Sequence, residues 1–134
     1  ISLSEGVEEF LDYCKAHNIF IAILTNGRPK SQYAKVIALD LHRWFDDDHI
    51  FISGGIGYQK PDPMAFQYIE KMFSLNPEET WYIGDTYEAD VVGADGAGWH
   101  TVWFNHRNRE RLENCADVTV KSIEELSRFI KERS

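Results

Sequence analysis

Apolar residues recur along the chain at two spacings, and the alternation between them lays out the elements. Over residues 5–17, Val7, Phe10, Leu11 and Cys14 fall at helical spacing with Glu8, Glu9 and Lys15 outward, which predicts an amphipathic helix. Residues 19–24 then form a continuous apolar run, the pattern of a strand covered on both faces in a parallel sheet. It ends at Thr25, Asn26 and Gly27, where the glycine permits a tight turn with outward backbone amides. Pro29 suits the first turn of the next helix, whose inner face is read as Tyr33, Val36, Ile37 and Ala38.

The same logic repeats downstream. Residues 44–49 read as a solvated surface loop, residues 50–53 as a short strand, and the glycines at 54, 55 and 57 as a flexible loop. Asp62 followed by Pro63 makes an N-cap and first helical position, with Phe66, Ile69, Met72 and Phe73 inward. Residues 80–84 are a buried strand delivering Asp85 to the sheet edge, followed by a turn and a helix whose first turn carries Asp90. Small residues (Ala89, Gly93, Ala94, Gly96 and Ala97, with Val92) let that helix lie close on the sheet, and Gly98 can end it. A strand at 100–104, a basic loop with Arg107, Arg109 and Arg111, a strand at 118–120 and a final helix complete the chain. Ser122 and Glu125 form the capping box of that helix, and Ile123, Leu126, Phe129 and Ile130 face inward. Strands alternating with helices predict an α/β fold with a parallel sheet.

Composition narrows the class. The 134 residues fit a single domain, 1–134. Apolar residues at 43% and charged residues at 27% are the balance of a soluble globular protein. A net charge of -8 opposes non-specific binding to nucleic acid or to an anionic membrane. No apolar run reaches the roughly 20 residues of a membrane span, and residue 1 onward lacks a basic-then-apolar leader. Two separated cysteines, Cys14 and Cys115, suggest neither a disulfide framework nor a zinc site, so a reducing cytoplasm is expected.

The chemistry gathers at strand ends. Carboxylates at a strand's C-terminal end, here Asp85 with Asp90 five residues on, suit a divalent cation and a phosphate, although both also suit helix capping. Lys60 stands on a loop stiffened by Pro61 just before a helix. The acids at 46–48 precede a strand instead of crowning it, which favours a solvated loop over a metal site. The glycines at 54–57 match neither the dinucleotide nor the P-loop spacing.

Thr25 with Asn26 and Gly27, Lys60 before a proline, and Gly84-Asp85 with Asp90, in that order, resemble the motifs of the haloacid dehalogenase-like (HAD) hydrolase superfamily, in the subgroup with a cap inserted near the N-terminus. The similarity spans essentially the whole chain, including the lead of Ala97, Gly98 and Trp99 into a strand. It implies a Rossmann-like core with flanking helices and phosphoryl-transfer chemistry. Thr25, Asn26 and Gly27 would hold phosphate oxygens. Lys60 would offset the charge of the phosphate and the nucleophile, while Asp85 and Asp90 would bind magnesium (Mg2+) directly or through its shell.

One motif has no counterpart. The family's apolar strand ending in Asp-x-Asp, which supplies the nucleophile, belongs before residue 1 and lies in the middle of the sheet. The chain is therefore expected to be an incomplete core, the C-terminal part of a larger hydrolase whose N-terminal part supplies nucleophile strand and cap. Alone it is expected to bind phosphate and magnesium weakly and to turn over nothing. The function implied is a magnesium-dependent phosphatase acting on a small phosphorylated metabolite. A phosphomutase, a 2-haloacid dehalogenase and a non-catalytic interaction module stay open. The paired acids oppose the dehalogenase, because a metal-free site gains nothing from them, and the surviving motif residues oppose the inert module. A receiver domain would carry its acidic pair on the first strand, where this chain has a helix.

Overall fold

The computed structural model describes residues 2–134. They fall into two compact units, one running to Gly57 and the other from Tyr58 to Ser134. In the first, helix α1 (Val7–Ala16) leads to strand β1 (Ile23–Thr25), helix α2 (Pro29–Ala38), strand β2 (Ile50–Ile52) and a single helical turn, α3 (Ser53–Ile56). β1 and β2 run parallel, with Ile23 opposite Ile50 and Thr25 opposite Ile52. Leu11, Trp44 and Phe45 make the buried centre, packed by Val7, Phe10, Ile23 and Leu41 among others.

Four expectations for this unit change. The apolar run at 19–24 becomes regular strand only from Ile23, where its three-residue partner begins, and Phe20 is 43% exposed. Ile37 is 63% exposed and Ala38 also faces solvent, so α2 buries a narrower face centred on Val36. The 44–49 segment is not all surface: Trp44 and Phe45 turn inward, and the indole Nε1 of Trp44 donates to Asp12 Oδ1 at 2.7 Å, leaving only the acids in water. The glycine segment is a helical turn closed by Gly57 at a φ of 88°, a left-handed conformation glycine adopts without strain.

In the second unit, helix α4 (Pro63–Phe73) precedes strand β3 (Trp81–Gly84). A wide π-type turn at Tyr87–Val92 runs into helix α5 (Gly93–Gly96), then come strands β4 (His100–Phe104) and β5 (Val118–Val120) and helix α6 (Ile123–Arg133). The sheet order is β3-β4-β5, parallel throughout, with Trp81 opposite His100 and Val102 opposite Val118. Asp62 caps α4 by accepting from Met64 N at 2.9 Å, and Ser122 Oγ caps α6 by accepting from Glu125 N at 3.1 Å. Phe66 is fully buried and meets Tyr82 and Trp99 edge-on at 5.0 and 5.4 Å, the preferred packing of aromatic rings.

The middle strand β4 is the driest, with Thr101 and Val102 wholly buried. Thr101 is satisfied there because its amide donates to Asp117 Oδ2 at 2.8 Å and its hydroxyl accepts from Asp117 N at 3.2 Å. Two expectations change here too. Met72 is 55% exposed, and every residue of β3 is half-buried, since β3 has one ladder neighbour among the described residues. The architecture is α/β, with parallel sheets and flanking helices.

Candidate active site

The end of β3 carries a cluster of hydrogen-bonded polar side chains. Residues alternate across a strand, so Tyr82 and Gly84 share a face. Asp90, delivered by the π-type turn, lies against Gly84: a Cβ there would sit 2.3 Å from Asp90 Cγ and Oδ2. Only a glycine lets the carboxylate lie this close to the strand. Asp90 Oδ2 accepts from Thr86 N at 3.0 Å, and the Asp90 amide in turn donates to Thr86 O at 2.8 Å.

Into this corner comes Lys60. Its Nζ donates to Asp90 Oδ1 at 2.7 Å and to Tyr82 OH at 3.0 Å. The lysine side chain is 11% exposed and that of Asp90 6%, making this a buried ion pair. Burial pulls the Lys60 ammonium down, but the Tyr82 and Asp90 oxygens outweigh it and hold the group above its usual value, so it stays charged. Burial chiefly pushes the Tyr82 hydroxyl up to about 12, with the Lys60 charge working against it, so it stays a neutral phenol. Gly93 admits the approach of the Lys60 segment: a Cβ there would meet Phe66 Cε2 at 2.9 Å and Pro61 Cα at 3.0 Å.

Asp85 has a different setting. Its side chain is 46% exposed, and Oδ2 lies 3.2 Å from both His106 Nε2 and Arg107 Nη2. Thr86 Oγ1 donates to Oδ1 at 3.2 Å. Partial burial works against ionisation, but the hydrogen bonds from His106 and Thr86 and the charge of Arg107 hold the carboxyl below its usual range. The structure thus joins Lys60 to Asp90 and gives Asp85 to the 105–111 loop. The two carboxylates, read together from their spacing, have different cationic partners and both accept from Thr86, Asp90 from its amide and Asp85 from its hydroxyl.

Tyr82, Thr86 and His106 complete these contacts and were not among the candidates. The strand alternation that places Tyr82 beside Gly84 was the available signal for the first of them.

In the first unit, Thr25 Oγ1 accepts from Gln32 Nε2 at 2.6 Å. The amide of Gly27, expected to point outward, instead donates to Ser53 Oγ at 2.9 Å. Gly27 has a φ of 145°, and a Cβ on it would meet Gln32 Cγ at 2.7 Å, so the turn needs glycine. Oxygen and nitrogen atoms of Asp46, Asp48 and His49 come within 4.8 Å of one another. They lie in the turn that precedes β2, with both acids exposed.

Residues 1–98 match the family model of the haloacid dehalogenase-like hydrolases. The chain is 31% identical over 125 residues to the glyceraldehyde 3-phosphate phosphatase of Pyrococcus furiosus, a match covering 90% of this chain and 51% of that protein. It is 35% identical over 120 residues to the phosphoserine phosphatase of Thermus thermophilus, covering 89% and 47%. Among solved structures, the HAD-hydrolase YfnB of Bacillus subtilis, determined bound to magnesium, superposes with a TM-score of 0.83 at 29% identity, over 96% of this chain and 56% of that one. The chain spans about half the length of the curated relatives it matches. No helix among the described residues is long and apolar enough to cross a membrane. Motif order, parallel α/β architecture and the match over residues 1–98 agree, and the chain belongs to the haloacid dehalogenase-like hydrolase family.

Proposed function

We propose that the protein carrying this chain is a magnesium-dependent phosphomonoester hydrolase acting on a small phosphorylated metabolite, through an aspartyl-phosphate whose nucleophile lies outside these 134 residues. The observation that carries the reading is the buried Lys60–Asp90 pair beside the strand-end Asp85. A lysine kept charged out of bulk water is a strong local field for an anion. The phosphatase relatives favour phosphate as that anion over a haloacid.

Lys60 is assigned the neutralising charge on phosphate. Asp90 positions it, and also fixes the Thr86 amide at the strand end. Thr25 is assigned to phosphate oxygens together with Asn26 and Gly27. Asp85 fits a hard cation: it offers exposed carboxylate oxygens whose present partners are half-exposed side chains and a hydroxyl, and magnesium binds through one or two carboxylates while keeping much of its water. When bound, magnesium supplies charge neutralisation to a transferring phosphoryl group. Asp85 would hold it, with Asp90 orienting its surroundings. The N-terminal part of the same protein is assigned the nucleophile strand and the cap, and the cytoplasm is the expected location.

The test is turnover of p-nitrophenyl phosphate by the full-length protein. Activity should require magnesium, and Asp85→Ala should lower kcat/KM by about 100-fold or more, with the fold retained by circular dichroism. Activity on a 2-haloacid without metal, and none on the phosphate ester, would replace this reading with the dehalogenase. Phosphate transferred to a second sugar hydroxyl instead of water would mark a phosphomutase.

A further inference from the structure

Beside Asp85 the second unit has an open cleft of about 570 Å³, lined among others by Tyr87, Glu88, Trp103, Arg109 and Arg111. Three arginines reach it from alternate positions of one loop, and two are already committed. Arg107 Nη2 is 3.2 Å from Asp85 Oδ2. Arg111 pairs with Glu88 at 3.0 Å and lies 3.7 Å over the Tyr87 ring. The guanidinium of Arg109 has no ion pair among the described residues.

Its backbone, by contrast, is held firmly. The buried Asn105 side chain spends both ends on it, donating from Nδ2 to Arg109 O and accepting at Oδ1 from Arg109 N, each at 2.9 Å. Asn105 is itself tied to β5, since its amide donates to Val120 O at 2.7 Å. A buried amide using both polar atoms on one neighbour fixes where that neighbour's side chain starts, which lowers the ordering cost of any contact it makes. The chain as a whole carries a charge of -8, so an unpaired cation on a clamped loop, in a cleft shared with Asp85, stands out.

We propose that Arg109 is a specificity residue, gripping a second anionic group on the substrate, a carboxylate or a second phosphate, while the phosphoryl group is held at Lys60. This rests on the phosphatase reading above. A guanidinium presents a planar fork that matches either oxyanion with two parallel hydrogen bonds. Glu110 also lines the cleft. Acids and arginines there balance, so selectivity comes from the placement of Arg109 and not from a net positive field. The substrate class is a small phosphate monoester with a second negative group.

The experiment uses the full-length protein and two substrate pairs. One is 3-phosphoglycerate against glycerol 3-phosphate, and the other is fructose 1,6-bisphosphate against fructose 6-phosphate. Within each pair the ratio of kcat/KM reads the second anion, and the pair that responds tells carboxylate from phosphate. Arg109→Gln should lower the ratio in at least one pair about 10-fold. Arg109→Lys should recover part of it, and Glu110→Gln should raise it. Ratios within twofold of wild type in both pairs for Arg109→Gln would overturn the proposal.

A binding measurement separates this from failure of the phosphatase reading. By calorimetry, 3-phosphonopropionate should bind wild type about 10-fold more tightly than propylphosphonate, and Arg109→Gln should erase the difference. Equal binding of the two by wild type refutes the subsite, whatever the turnover. A preference that persists in a protein hydrolysing no phosphate ester would keep the subsite and sink the enzyme assignment.

Discussion

Replacing Lys60 by methionine removes a charge while keeping most of the side chain's bulk, and what it leaves behind sets the cost. Asp90 would remain, 6% exposed, with the Thr86 amide as its remaining hydrogen bond of those described and no cation in place of the ammonium at 2.7 Å. Breaking a buried pair from one side costs about 3–5 kcal/mol, because the surviving charge keeps its desolvation penalty without its partner. Asp90→Asn should cost a comparable amount, since it takes the carboxylate charge away from a buried ammonium. Against the 5–15 kcal/mol that is typical of a whole domain, either change is large.

The double variant Lys60→Met/Asp90→Asn should be much milder than the sum. It leaves no buried charge, and an asparagine oxygen can still accept from Thr86 N. The coupling energy should therefore exceed about 2 kcal/mol. Urea unfolding at pH 7, followed by tryptophan fluorescence, measures all four corners of the cycle; Trp81 and Trp99 lie in the same unit. Costs that add to within about 0.5 kcal/mol would refute the reasoning. The pair would then be incidental, and Lys60 would be held by something other than Asp90.

Two further predictions concern the same corner. Gly84→Ala should destabilise by at least about 2 kcal/mol, because its Cβ would fall 2.3 Å from Asp90; Gly55→Ala, where the nearest atom is 3.8 Å away, should change the thermal midpoint little, and equal effects of the two would refute the crowding. Both Lys60 and Tyr82 have folded-state values above their ordinary 10.5 and 10.0, so the folded state binds more protons there and stability should be full below about pH 10 and fall as pH rises toward 12. Tyr82→Phe should remove the tyrosine's share of that slope in urea unfolding at stepped pH, and an unchanged slope would count against the buried phenol.

What the sequence disclosed and what it hid follow from the range of the forces involved. Strand β4 and strand β5 were legible to the residue, because β-branched and aromatic residues dominate both and polar loops punctuate them. The caps at Asp62 and Ser122 were legible because a cap is a local hydrogen bond between near neighbours. Burial was read less well. Ile37 and Met72 lie at helical spacing with true core residues yet face solvent, since the width of a buried face depends on what packs against it. Trp44 and Phe45 erred the other way, hidden in a run of acids whose polarity dominated the reading.

The candidate site shows the same limit more sharply. Asp85 and Asp90, five positions apart, suggested one carboxylate pair, but spacing alone does not say which way a side chain turns. The turn between them is π-type, with a wider pitch than an α-helix, and it brings Asp90 back over Gly84 toward Lys60, while Asp85 continues out toward His106 and Arg107. Once Asp90 is committed to a lysine 30 residues earlier, the glycine before Asp85 acquires a reason that no turn requires: it makes room for a carboxylate. Lys60, Gly84 and Asp90 are therefore one device, and a change at any of them should be felt at the other two, whereas a change at Asp85 should leave that device in place.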